Sequence, residues 1–117
     1  MKRSNHRAGM LAEYLALIWL TLKGYRLVVW RYKTKLGEVD LIMRRGDMLI
    51  FVEVKARKAR DDAAHAIHTK NQSRVVAAAQ HFLNAHPAYT KYQVRFDAVL
   101  IAWYKRPHHL ADAFHHA

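Results

Sequence analysis

No cysteine occurs in the 117 residues, which excludes disulfides and thiolate-bound metals but leaves the compartment open, since a thiol-free chain suits cytosol and export alike. Acidic residues are scarce: nine Asp and Glu stand against twenty Lys and Arg, for a net charge of +11. Such an excess points to a polyanionic partner, nucleic acid before an anionic membrane surface. Long apolar runs are missing too. The stretch Tyr14 to Leu22 falls well short of the ~20 residues of a membrane span. Lys2, Arg3 and Arg7 precede it as in a secretory signal, but Glu13 abuts it and Lys23-Gly24-Tyr25 follows where a small-residue cleavage site would stand. The expectation is a soluble, cytoplasmic protein without membrane association. No repeat or low-complexity linker divides the chain, and 52% hydrophobic residues can build one core, so a single domain spanning 1–117 is expected.

What is present reads as alternating helix and strand. Leu11, Leu15, Ile18 and Leu22 recur at helical spacing between Ser4 or Asn5 as cap and Gly24 as stop. This helix is apolar nearly all round, so Glu13 on it calls for a reason. Leu27 to Tyr32 is β-branched and aromatic, and predicts a strand followed by a basic loop, Lys33 to Leu36, and Gly37. Glu38–Met43 and Met48–Lys55 predict two antiparallel strands joined by a tight turn within Arg44-Arg45-Gly46-Asp47. Thr69 and Gln72 have capping-box spacing, and Val75, Ala79, Phe82 and Leu83 form an apolar stripe ending at Pro87. Tyr92 to Trp103 alternates as a last strand, with a short helix expected over Leu110–Phe114. The order αβββαβ predicts an α/β fold, a mixed sheet flanked by helices.

Three of the nine carboxylates, Glu38, Asp40 and Glu53, fall in strand segments where apolar residues are the rule. Strand alternation puts Glu53, Lys55 and Arg57 on one face. A hairpin closing on Arg45-Gly46 sets Glu38 opposite Glu53 and Asp40 opposite Phe51, making Asp40 and Glu53 diagonal neighbours roughly 7 to 8 Å apart. A three-residue turn would instead send Asp40 to the other face. Two facing carboxylates repel unless a cation lies between them, and hard oxygen donors suit Mg²⁺ or Mn²⁺, which keep waters and bind substrate phosphate. A metal lowers the pKa of a bound water for attack on phosphorus, while Lys55 orients that water or steadies the oxyanion. The chemistry indicated is phosphodiester hydrolysis. The bland reading of the same residues is an ion pair on a half-exposed sheet.

The ordered set Gly37-Glu38-Val39-Asp40-Leu41-Ile42 and Phe51-Val52-Glu53-Val54-Lys55-Ala56-Arg57 resembles the YraN-type family of small bacterial proteins. That family is similar to the PD-(D/E)XK restriction-endonuclease superfamily, especially archaeal Holliday-junction resolvases. The resemblance runs from Gly9, Glu13 and Ala16 through Gly24-Tyr25 to Arg95-Phe96-Asp97. It implies a restriction-endonuclease-like core, Asp40 and Glu53 as metal ligands, Lys55 as catalytic cation and Glu13 as metal support. Glu38 is then an accessory acid, and Lys70 matches a lysine that contacts the scissile phosphate. It also implies a symmetric dimer and a branched-DNA substrate. After Arg57, where the family pattern has Phe-Gly, this chain has Asp61-Asp62-Ala63-Ala64-His65, a departure in the substrate-side loop.

Basic residues cluster as Arg31, Lys33 and Lys35, as Arg44 and Arg45, and as Arg57, Lys58 and Arg60, and are the candidates for phosphate contacts. Trp30 and Tyr32 among them read as core rather than base-stacking residues. Asp97 beside Arg95 is either an edge salt bridge or a support for the site. His108, His109, His115 and His116 crowd the tail but, without cysteine, do not read as a zinc site, and His65 and His68 read as loop positions. Two functions stay open: a metal-dependent DNA endonuclease, or a non-catalytic nucleic-acid-binding module of the same fold acting through a partner. Composition does not separate DNA from RNA.

Overall fold

The computed structural model describes residues 2–57, 69–102 and 106–114; side chains are described from Gly9 onward, except at 57 and 69–71. Helix α1 (Lys2–Leu22) leads into strands β1 (Arg26–Lys33), β2 (Glu38–Arg45) and β3 (Met48–Arg57). Helix α2 (Thr69–Ala85) and a short 3-10 turn (Pro87–Tyr89) precede β4 (Gln93–Ala102) and β5 (His108–Phe114). The strands form one mixed sheet in the order β1-β2-β3-β4-β5, antiparallel except for the parallel β3/β4 pair that α2 spans. This is the expected α/β arrangement, compatible with a restriction-endonuclease-like core.

The helices cover opposite faces. Ala12, Ala16 and Leu20 of α1 pack with Leu41, Met43, Ile50, Val52, Val99 and Ile101 on one face. Val75, Ala79 and Phe82 of α2, the stripe read from the sequence, meet Leu49 and Phe51 on the other. The buried stripe of α1 differs from the expected one. Leu11, Ile18 and Leu22 face outward with Tyr14, while the small residues Ala12 and Ala16 turn in and let the helix axis lie close to the sheet. Spacing alone identifies the helix but not which of two apolar stripes is buried.

The β2–β3 register also differs from the one expected. The ladder runs from Leu41↔Val52 to Arg45↔Met48, so the turn is Gly46-Asp47 and its continuation sets Asp40 opposite Glu53, not Phe51. A two-residue hairpin needs positive φ at its first central position; Gly46 supplies it at 61°, whereas a turn on Arg45-Gly46 would force it on arginine. The shift is two residues, so each side chain keeps its face.

The expected terminal helix is instead the edge strand β5, paired with β4 from Phe96↔Phe114 to Leu100↔His108. Seven residues are too few for a self-sufficient helix, and here the open edge of β4 and the stacking of Phe114 on Phe96 at 5.4 Å win. No helix among the described residues is long and apolar enough to cross a membrane.

Candidate active site

The end of the β2–β3 pair away from the hairpin is where the acidic residues collect. Asp40 does not continue the backbone ladder; its Oδ2 accepts the Val54 amide at 2.7 Å from the neighbouring strand. Glu53 is buried, and Lys55, two residues on, brings its Nζ to 3.4 Å from Glu53 Oε2. Glu13 descends from α1 onto the same place. Its Oε1 accepts both the Trp30 indole N–H at 2.9 Å and Arg31 Nε at 2.7 Å. With Glu38 and Arg74 these groups line a cleft of about 280 Å³.

A local irregularity makes this convergence possible. Arg31 has φ 62°, the left-handed region that a non-glycine residue enters only at a cost, and it lies beside Asp40 in the β1–β2 register. Trp30 therefore packs on the α1 side and Tyr32 on the α2 side, with Arg31 turned toward α1 between them. In β2 the same break appears: Leu41 faces α1, while Val39, which strict alternation would place with it, joins the α2 side. Asp40 sits at the break. Alternation read from the sequence puts Asp40 with Glu53 but has no signal for the twist that brings Glu13 into reach.

Burial and the negative charges of Glu13 and Glu53 push the Asp40 carboxyl up to about 7, against the opposing pull of the Val54 amide and Lys55. A carboxyl that holds a proton near neutrality because it is withdrawn from water beside other acids is a place where a cation would displace that proton. Among the described residues no three His, Asp or Glu side chains converge as a complete cage. The donor set of buried, opposed carboxylates fits an ion of the Mg²⁺ or Mn²⁺ kind, which takes one or two carboxylates and fills its shell with water and phosphate oxygens. Asp40 and Glu53 would hold it.

The remaining expected residues fall in different places. Glu38 lines the cleft and pairs with Arg74 at 3.4 Å. Lys33 stands opposite Glu38 in the ladder and is exposed; Lys35, in the loop before Glu38, is exposed as well. Arg31, expected as a phosphate contact, is turned inward to Glu13. Arg44 and Arg45 are at the hairpin end, where Arg44 donates to the Tyr92 hydroxyl, and Arg45 reaches the Lys23 carbonyl and lies 4.3 Å over the Tyr25 ring. Lys70 is in the first turn of α2, with its side chain, like that of Arg57, outside the described residues. Lys58, Arg60, His65, His68, His115 and His116 also lie outside them.

Arg74 was not among the expected residues. It follows Lys70 by four positions and so shares its helix face, which is the signal that points to it. Asp97 is neither an edge salt bridge nor part of the cleft. It is fully buried on β4, between β3 and β5, where it binds Arg95 and His109.

The model of the uncharacterised protein family UPF0102 matches residues 12–101. The chain belongs to the UPF0102 family. Similar proteins include a UPF0102 protein of Nitrobacter winogradskyi, 46% identical over 97% of this chain and 97% of its own. Another, from Rhodopseudomonas palustris, is 50% identical over 92% of this chain and 80% of its own, and one from Sinorhizobium medicae is 45% identical over 92% and 88%. The YraN-type resemblance and the UPF0102 match thus agree. The residues that line the cleft from Ala12 to Val75 fall within the matched UPF0102 segment, and Gly9 alone precedes it.

Proposed function

We propose that this UPF0102 protein is a metal-dependent endonuclease that hydrolyses phosphodiester bonds in DNA, branched DNA included. The observation that carries the reading is the opposition of Asp40 and Glu53 on adjacent strands, in a cleft that also receives Lys55 and Glu13. A divalent ion held by Asp40 and Glu53 supplies a water of lowered pKa and neutralises charge on the phosphate. The protein's own groups do the rest. Lys55, already in the cleft, donates to the attacking water or to the developing oxyanion. Glu13, fixed by Trp30 and Arg31, supports the acidic wall in one geometry. Exposed Lys33 and Lys35, with the overall charge of +11, draw a phosphate backbone toward the cleft. A symmetric pair of chains, one cleft per strand, belongs to the same reading, and the exposed row Leu11, Tyr14, Ile18 and Leu22 on α1 offers apolar surface for it.

One observation favours a second reading. Lys55 is paired with Glu53 and Arg31 with Glu13, so much of the cleft is neutralised from within, as suits a nucleic-acid-binding module that acts through a partner.

Cleavage of labelled four-way junction, flap, single-stranded and linear duplex DNA, with RNA alongside, in Mg²⁺ or Mn²⁺ separates the two. The nuclease reading expects metal-dependent cutting that Asp40→Ala and Lys55→Ala both abolish while binding persists. Binding without cutting, unchanged in both variants, overturns it in favour of the module.

A further inference from the structure

The two ends of α1 serve different places. Glu13 belongs to the carboxylate cleft, whereas Trp19 and Lys23 of the last turn and its edge border a separate, open hollow of about 600 Å³, with Arg106, Pro107, His108 and His109 along its other side. Among the described residues the two hollows share none, and those lining the second include no acidic side chain.

A lysine at a helix end is ordinarily a mobile charge, but Lys23 is tied to the core. Its Nζ lies 2.7 Å from His109 Nδ1, and His109 Nε2 lies 2.7 Å from Asp97 Oδ2. Asp97 in turn accepts from Arg95 Nε at 2.8 Å and Nη2 at 2.7 Å, and from the Asp112 amide at 3.0 Å. The chain of bonds is satisfied by His109 in its Nε2–H tautomer, which donates inward to Asp97 and accepts outward from Lys23. A fully buried carboxylate and a nearly buried imidazole thereby fix one surface ammonium, and the cleft chemistry uses none of them.

A helix C-terminus repels anions through its free carbonyls. Here part of that end is capped: Leu20 accepts from the amides of Lys23 and Tyr25, Thr21 from Gly24, and the Lys23 carbonyl from Arg45. The positive charges of Lys23 and Arg106 border the hollow and outweigh the partial negative charge of a helix end that is itself partly capped. Trp19 is four residues before Lys23, on the same helix face, so an indole and an ammonium stand one turn apart. An anion on Lys23 and Arg106 with a flat apolar group against Trp19 is the pairing that one nucleotide presents, and stacking of this kind tolerates any base.

We propose that this hollow binds one nucleotide unit of a nucleic-acid strand, its phosphate on Lys23 and Arg106 and its base against Trp19. The site does not depend on the carboxylate cleft or on cutting.

The test is titration of the full chain with adenosine 5′-monophosphate, followed by NMR, with adenosine and inorganic phosphate as the two halves of the probe. The expected result is saturable shifts at the Trp19 indole N–H and the Lys23 and Arg106 amides, with AMP binding more tightly than either half. Lys23→Gln and Arg106→Gln should each weaken AMP about 5-fold or more, and Arg106→Gln, at an exposed side chain, should do so without moving the thermal midpoint. Asp40→Asn, which disables the cleft, should leave these shifts unchanged, so failure here and failure of the nuclease reading are told apart. Shifts absent at Trp19, AMP no tighter than inorganic phosphate, or binding indifferent to both substitutions would each overturn the proposal.

Discussion

Asp40 accepts the Val54 amide at 2.7 Å at the point where the β2–β3 ladder ends, so the residue that stops the pairing is the one that faces Glu53. A strand pair that separates around a carboxylate loses backbone hydrogen bonds and buries charge, and both cost stability. The cleft is therefore held at a cost in stability that a bound cation would relieve, which makes stability a direct readout of what the site does.

Replacing Asp40 by Asn keeps an oxygen for the Val54 amide and removes the buried acid. Burial and neighbouring carboxylates raise this group from 3.8 to about 7, so between those values the folded protein keeps a proton that the unfolded chain has released. Stability therefore falls as pH rises through that window, by roughly 4 kcal/mol, and the deficit is complete above pH 7. Urea unfolding from pH 5 to 8 should show this slope in the wild type and lose it in Asp40→Asn, which is the more stable protein at pH 8. Mg²⁺ should recover stability at pH 8 in the wild type alone.

Lys55→Met removes the ammonium while keeping the stem. If Lys55 acts on the reacting oxygens, single-turnover cleavage should slow by about 10²–10³-fold, the scale of one lost oxyanion donor, with DNA binding and Mg²⁺ stabilisation retained. A loss confined to binding would assign Lys55 to phosphate attraction instead.

Asp97 behaves in the opposite sense to Asp40. Burial alone would raise it, but His109, Arg95 and the Asp112 amide outweigh that and hold it at about 2, below its ordinary 3.8. Its contribution is fully present above 3.8 and is lost as pH falls toward 2, about 2 kcal/mol in all. Asp97→Asn, which strands Arg95, should cost about 3 kcal/mol at pH 7 and remove that share of the acid transition. A variant as stable as wild type would show that the pairing contributes nothing net.

The orientation of α1 is checked by two leucines two residues apart. Leu20 is fully buried against the sheet and Leu22 is largely exposed. Leu20→Ala should cost about 2–5 kcal/mol and Leu22→Ala under about 0.5 kcal/mol. Equal costs would mean the helix is rotated from its described face.

Much of this architecture was legible because strand parity survives errors in register. The turn sits one residue later than expected, yet Asp40 and Glu53 still share a side, because the displacement is two positions. The helix α2 stripe was legible because its large residues Val75 and Phe82 are buried. For α1 the alanines Ala12 and Ala16 are inside with Leu20 while Leu11, Tyr14, Ile18 and Leu22 are outside, a choice between two apolar stripes that hydrophobicity cannot rank. The inward turn of Arg31 was not legible at all: positive φ in a non-glycine strand residue is imposed by tertiary bonds to Glu13, and β5 is imposed by the edge of β4.

Two glycines separate the framework of the cleft from its interior. Gly37 packs directly on α2, where an added Cβ would collide with the backbone carbonyl of Arg74, an atom that cannot swing away without moving the helix. Gly37→Ala should therefore destabilise the fold by about 1–3 kcal/mol and disturb the Arg74–Glu38 pair at the cleft. Gly9 also lines the cleft, but an added Cβ there meets nothing within 4 Å. Because glycine within a helix is less stable than alanine by about 0.8–1 kcal/mol, Gly9→Ala should raise the thermal midpoint. The same methyl would occupy space at the cleft wall beside Glu13, so the more stable protein should bind or cut DNA less well. A Gly9→Ala protein that gains stability with no loss of either would place the substrate path away from the α1 side of the cleft.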